Sequence, residues 1–146
     1  MKQVFNIMGA VALVAMSGIT SAAELTVTVT NIQKHEGTLY IRIYDTTSKW
    51  LSQEKQDVRA SQVIALADVK NIQSISATFD LPVGKYAATV VQDVNSNGKL
   101  DKNWMGKPTE PSGNTSRGDE NGPPVFEDST FEITGDTQKS ITLVSY

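Results

Sequence analysis

The sequence predicts an all-β fold: a seven-stranded antiparallel Greek-key sandwich with one long irregular loop after the fifth strand. Three observations predict it. Apolar and polar residues alternate at a period of two through most of the chain. The links between these runs are short and carry Gly, Pro or Asp. Helical periodicity is almost absent, and seven short alternating runs match an immunoglobulin-like sandwich.

The first run, "LTVTVTNI" (25–32), places Leu25, Val27 and Val29 on one face and threonines on the other. The second, "TLYIRIYD" (38–45), sets Leu39, Ile41 and Ile43 against Tyr40, Arg42 and Tyr44. The link "QKHEG" is short and ends in Gly37, which predicts a hairpin between the two. "SKWLSQEKQD" (48–57) is the only stretch suited to a helical turn or two, with Ser48 as N-cap. "VRASQVIAL" around Val63, "SISATFDL" with Ile75, Ala77 and Phe79, and "YAATVVQD" from Tyr86 are strands three to five. "STFEIT" and "SITLVSY" complete the seven, joined by a turn at Gly135-Asp136. In "LPVGKY", Pro82 and Gly84 turn the chain into Tyr86. That tyrosine either returns its hydroxyl to the preceding backbone, as in a tyrosine corner, or is an ordinary half-buried strand residue.

Ahead of these runs, "MKQVFNIMGAVALVAMSGITSAA" has the layout of a secretory signal. Lys2 is its only charge, residues 7–19 are apolar or small, and Ser21 and Ala23 fit a peptidase site. The apolar run is short for a bilayer span, so the expectation is cleavage after Ala23 and a periplasmic or extracellular protein without membrane insertion. Residues 24–146 then form one domain, large enough to bury a core without staples. The chain has no Cys to form one. Removing Lys2 leaves 12 bases against 16 acids, a net charge of −4. That sign disfavours nucleic acid and anionic membranes and suits a bound cation.

Residues 94–127 contain no run that looks like a strand, and they are dense in Gly, Asn, Pro and Ser. Irregular loops beyond about 12–15 residues are usually functional or disordered. The loop opens with "DVNSNGKLDKNW". Asp93, Asn95, Asn97 and Asp101 occupy positions one, three, five and nine of a calcium loop, with Gly98 at six. Calcium takes six to eight oxygens, so these side chains and the Lys99 backbone carbonyl are the candidate metal ligands. Trp104 replaces the bidentate carboxylate at position twelve, which lowers the expected affinity to the weak end, about 10⁻⁴–10⁻³ M. A further acid from Asp45, Asp119, Glu120, Glu127 or Asp128 would raise it. The competing reading is a plain Asn97-Gly98 turn closed by Asx hydrogen bonds.

Three motifs occur in order: Leu81-Pro82-x-Gly84-x-Tyr86; Asp93, Asn95, Asn97, Gly98 and Asp101; and Gly122-Pro123-Pro124-x-Phe126-x-Asp128. In these the chain resembles a family of small secreted bacterial β-sandwich domains of unknown function. The resemblance implies a sandwich of the transthyretin or carboxypeptidase-regulatory type, and it implies no activity. The chain departs from it at "RGDEN" (117–121), where many members are basic and aromatic.

Catalysis is not expected. His35 is the only histidine and lies in a turn, no Cys is present, and no Gly-rich loop opens a helix. Acid pairs (Asp119-Glu120, Glu127-Asp128) leave a weak glycosidase-like activity formally open. Trp50 and Trp104 both fall in loops, where they either close the end of the sandwich or stack on a sugar. The sequence therefore supports an exported non-catalytic binding or accessory module with a weak Ca²⁺ site and an unknown protein or glycan partner. Two alternatives stand beside it: a carbohydrate-binding or weakly hydrolytic domain using the tryptophans and loop acids, and a purely structural subunit pairing through its edge strands.

Overall fold

A computed structural model describes residues 21–116 and 122–146 of the chain. The expected signal segment up to residue 20, the Arg117-Gly118-Asp119 triplet and Glu120 lie outside the described residues.

Among the described residues eight strands form two sheets, one more strand than the sequence predicts. Strand β1 (Ala22–Thr30) lies between β4 (Ser74–Pro82) and β8 (Thr137–Thr142) in a three-stranded sheet. The other sheet runs β3 (Ala60–Ala65), β2 (Thr38–Tyr44), β5 (Gly84–Asp93), β6 (Ser112–Asn114), with β7 (Phe131–Ile133) paired to the start of β5. The alternating runs pack as their period requires. Leu25, Val27 and Val29 of β1, Leu39, Ile41 and Ile43 of β2, and Ile75, Ala77, Phe79 and Leu81 of β4 all enter one buried cluster.

Several expectations need correction. β1 and β2 are not a hairpin, because β2 pairs with β3 and β5 in the opposite sheet. The link between them crosses between sheets, held by Gln92, whose Nε2 donates to the Lys34 and Glu36 carbonyls. A short Gly-ended link fits either a hairpin or a crossover, and the burial of Leu25, Val27, Val29 against Leu39, Ile41, Ile43 is better served by two facing sheets. The pairing of β1 with β8 is parallel, so the fold is not wholly antiparallel.

Part of the loop region also departs from the sequence pattern. Ser112, Gly113 and Asn114 have poor strand propensity, yet they pair with Val91, Val90 and Thr89. Gly113 permits this: a Cβ there would meet the Thr142 carbonyl at 2.6 Å. The 48–57 stretch makes two short 3₁₀ turns, Thr47–Lys49 and Lys55–Asp57, with Ser48 inside the first rather than capping it. One helical turn that the sequence did not suggest, α1 (Phe126–Ser129), precedes β7. Tyr86 does form the corner, its hydroxyl donating to the Pro82 carbonyl at 2.7 Å.

Among the described residues no helix is long and apolar enough to cross a membrane.

Candidate functional site

The loop after β5 begins inside the protein. Asp93, the last residue of β5, is fully buried, and its backbone lies against Gly37. From there the chain coils, with positive φ at Ser96 (57°) and Gly98 (85°). Gly98 meets nothing within 4 Å of a built Cβ, so the position selects glycine for its backbone angle alone. The coil turns N–H groups inward. Asp93 accepts Asn97 N–H on Oδ1 (3.1 Å) and Gly98 N–H on Oδ2 (2.7 Å).

The predicted ligands Asp93, Asn95, Asn97 and Asp101 are brought together. Asp101 receives Asn95 Nδ2 at 2.6 Å and Asn97 Nδ2 at 2.8 and 2.9 Å. These amide bonds hold the Asp101 carboxyl below the ordinary aspartate range, helped weakly by Lys99. Asn95 Oδ1 and Asn97 Oδ1 in turn accept the N–H of Asn97 and Lys99. The Lys99 carbonyl accepts no hydrogen bond from the described residues.

Sequence spacing missed the residue that closes the loop. Glu110 is buried, and its two oxygens accept Val94 N–H and Asp101 N–H, each at 3.0 Å. It stands 17 positions beyond Asp93, far outside the twelve-residue calcium pattern, and only the fold brings it back. A buried carboxylate can be guessed from no local signal here; the lone clue is an acid just before a proline that leads into β6. Two of the acids named from sequence are engaged elsewhere: Asp45 lies 3.6 Å from Arg59, and Glu127 accepts the Thr47 hydroxyl. Asp128 is exposed in α1.

The described residues contain no group of three or more His, Cys, Asp or Glu arranged to hold a metal unaided. A cation here therefore needs amide and backbone oxygens beside Asp93, Asp101 and Glu110, which is ordinary calcium chemistry. It also needs the Asn95 and Asn97 amides to turn their oxygens toward Asp101. As they stand, the Asn95 and Asn97 amides present Nδ2 to the Asp101 carboxyl.

Described residues of the loop, from 100 to 108 and from 122 to 124, wall a cavity of about 580 Å³ against the β2–β5–β6 sheet. Arg42, Tyr44, Thr89 and Val91 form its floor, Leu100, Lys102, Met105 and Lys107 one side. This cover explains why β5 is buried on both faces from Tyr86 to Asp93 although its sequence partly alternates. Burial pushes the Tyr44 hydroxyl above the usual tyrosine range, opposed by Thr89 and Arg42; the hydroxyl donates to the Ser52 carbonyl.

The two tryptophans part company. Trp50 packs edge-on against Tyr44 (5.2 Å) and Phe126 (5.7 Å), and its Nε1 donates to the Pro124 carbonyl. Trp104 is 92 % exposed and closes nothing, because the hairpin-like bend from 102 to 108 carries it outward. His35 is exposed, as a turn residue should be.

No curated protein and no solved structure matches the chain. Residues 27–142, from β1 through β8, match the bacterial family described as an uncharacterized protein conserved in bacteria (DUF2141), and the chain belongs to that family.

Proposed function

We propose that the protein is an exported, non-catalytic binding module whose 93–110 loop is held in shape by Ca²⁺. The observation that carries this reading is Glu110: it brings a third carboxylate to a coil that already holds Asp93 and Asp101. The ion pairs among the described residues, Lys49–Asp57 and Arg59–Asp45, involve none of the three. Three like charges on one small loop favour a cation. Export is supported by the N-terminal pattern and by one contact. Glu24 N–H donates to Asp136 Oδ1 at 3.0 Å, so cleavage after Ala23 would set a new α-ammonium on that carboxylate.

At a dissociation constant of about 10⁻⁴–10⁻³ M, about 10 mM Ca²⁺ stabilises the fold by roughly 1–3 kcal/mol. The expected result is a melting temperature several degrees higher in Ca²⁺ than in chelator, abolished in Asp101→Asn. No shift and no calorimetric heat at that concentration would end the proposal.

The carbohydrate-binding alternative retains one specific support, the exposed Trp104 beside exposed Met105. Trp50 is committed to packing, so a sugar would meet a single ring. A glycan array comparing wild type with Trp104→Ala decides it: sugar signal lost in the variant favours this reading over the first.

A further inference from the structure

Arg42 is only 6 % exposed, on the outer face of β2 and directly opposite Thr89 of β5. Its guanidinium has five donors and no acceptor. One face lies over the Tyr40 ring, 4.8 Å from the centroid. No hydrogen bond or ion pair from a described residue engages its donors; the ion pairs are those of Lys49 and Arg59. A buried cation without a counter-charge is costly to a fold. An anion from outside the chain would supply the missing counter-charge.

The arginine lines the cavity beneath the loop, whose volume of about 580 Å³ falls within the range of small-molecule sites. Lys102 and Lys107 add positive charge at its exposed side, and no described Asp or Glu lines it. In a chain of net charge −3 this is a local reversal of sign. The cavity is also where stranded apolar surface collects. Leu51, Met105 and Tyr146 are all exposed large side chains, and all three line it. Leu51 holds φ at 65°, a conformation rare for a bulky residue and typical of functional sites.

We infer that this cavity binds a small organic carboxylate with an apolar body, the carboxylate on the Arg42 fork and the body along Leu51, Leu100 and Met105. One buried guanidinium matches a planar monoanion bidentately. A phosphate would bring more charge than the single buried cation meets, leaving the remainder to exposed lysines. The inference rests on the reading of the chain as a binding module and gives that module a ligand class. The loop proposed to hold Ca²⁺ supplies one wall of the cavity.

Titration calorimetry with octanoate, 1-octanol, acetate and inorganic phosphate tests it, in Ca²⁺ and in chelator. Octanoate is expected to bind at least about tenfold more tightly than each of the other three, since only it carries both halves of the ligand. Arg42→Met should weaken octanoate about tenfold or more, and Arg42→Lys, which keeps the charge without the fork, should fall between. Without ligand, Arg42→Met should melt no lower than wild type, because it removes an unpaired charge and keeps the apolar stem; a structural arginine would behave oppositely. Octanol equal to octanoate, phosphate equal to octanoate, or octanoate binding indifferent to Arg42 overturns the inference. So does the absence of octanoate binding at millimolar concentration in both the wild type and the folded Arg42→Lys protein. Failure of the calcium reading shows separately, as identical octanoate binding and identical melting in Ca²⁺ and chelator.

Discussion

Glu110→Ala is expected to destabilise the protein by about 3 kcal/mol or more, because hydrogen bonds to charged groups contribute about 1.5–3 kcal/mol each and this carboxylate accepts two. Its oxygens receive Val94 N–H at one end of the coil and Asp101 N–H at the other. Both donors belong to half-buried residues, so water replaces the lost acceptor only in part. Urea unfolding of wild type and variant measures the loss. The same substitution removes a carboxylate from the proposed cation set, so the calcium-dependent rise in melting temperature should disappear with it. Loss of stability with the calcium response intact would make Glu110 a structural clasp alone. Glu110→Gln sharpens the comparison: one N–H keeps an acceptor, and the other faces an amide donor.

Gly37→Ala is expected to cost about 3 kcal/mol or more, combining a left-handed backbone that alanine resists with an overpacked contact. Gly37 has φ at 79°, and a Cβ would lie 2.1 Å from the Asp93 carbonyl oxygen and 2.7 Å from the Val94 Cα. The obstructing atoms are backbone, so no side-chain rotation relieves them. The strand end that must move is the one that launches the loop, and Gly37 also accepts Leu66 N–H through its own carbonyl. Denaturant unfolding should show a lower midpoint with little change in slope. Ca²⁺ should recover part of the loss if it organises the loop. A variant within 0.5 kcal/mol of wild type, the ordinary range of a surface change, would mean that Gly37 does not set where the loop begins.

These two residues mark where local pattern stopped being informative. Gly37 was visible as a turn glycine, but its real neighbour is Asp93, 56 positions away, and only the sheet register brings the two together. Glu110 carries no local signal, while the acids that the sequence singles out at 45, 127 and 128 sit elsewhere. Sequence spacing did gather Asp93, Asn95, Asn97 and Asp101, since four side chains within nine residues are placed by the backbone angles of one coil. Arg42 read as an outward residue of an alternating strand, and it is buried because a distant loop covers that face.

The sequence by itself determined the elements whose information is local. Period-two runs gave most of the strands and their core faces, Pro82 and Gly84 marked the turn before Tyr86 while its hydroxyl bond was left open, and the Asn-Gly coil followed from spacing. Tertiary structure alone decided which strands pair, since the same alternating face serves a hairpin or a sandwich. It set β1 against β4 and β8, recruited β6 from a polar stretch, and laid the loop over Arg42. The physical reason is that side-chain period records which face is apolar, whereas pairing and cover depend on how separate apolar faces best exclude water together.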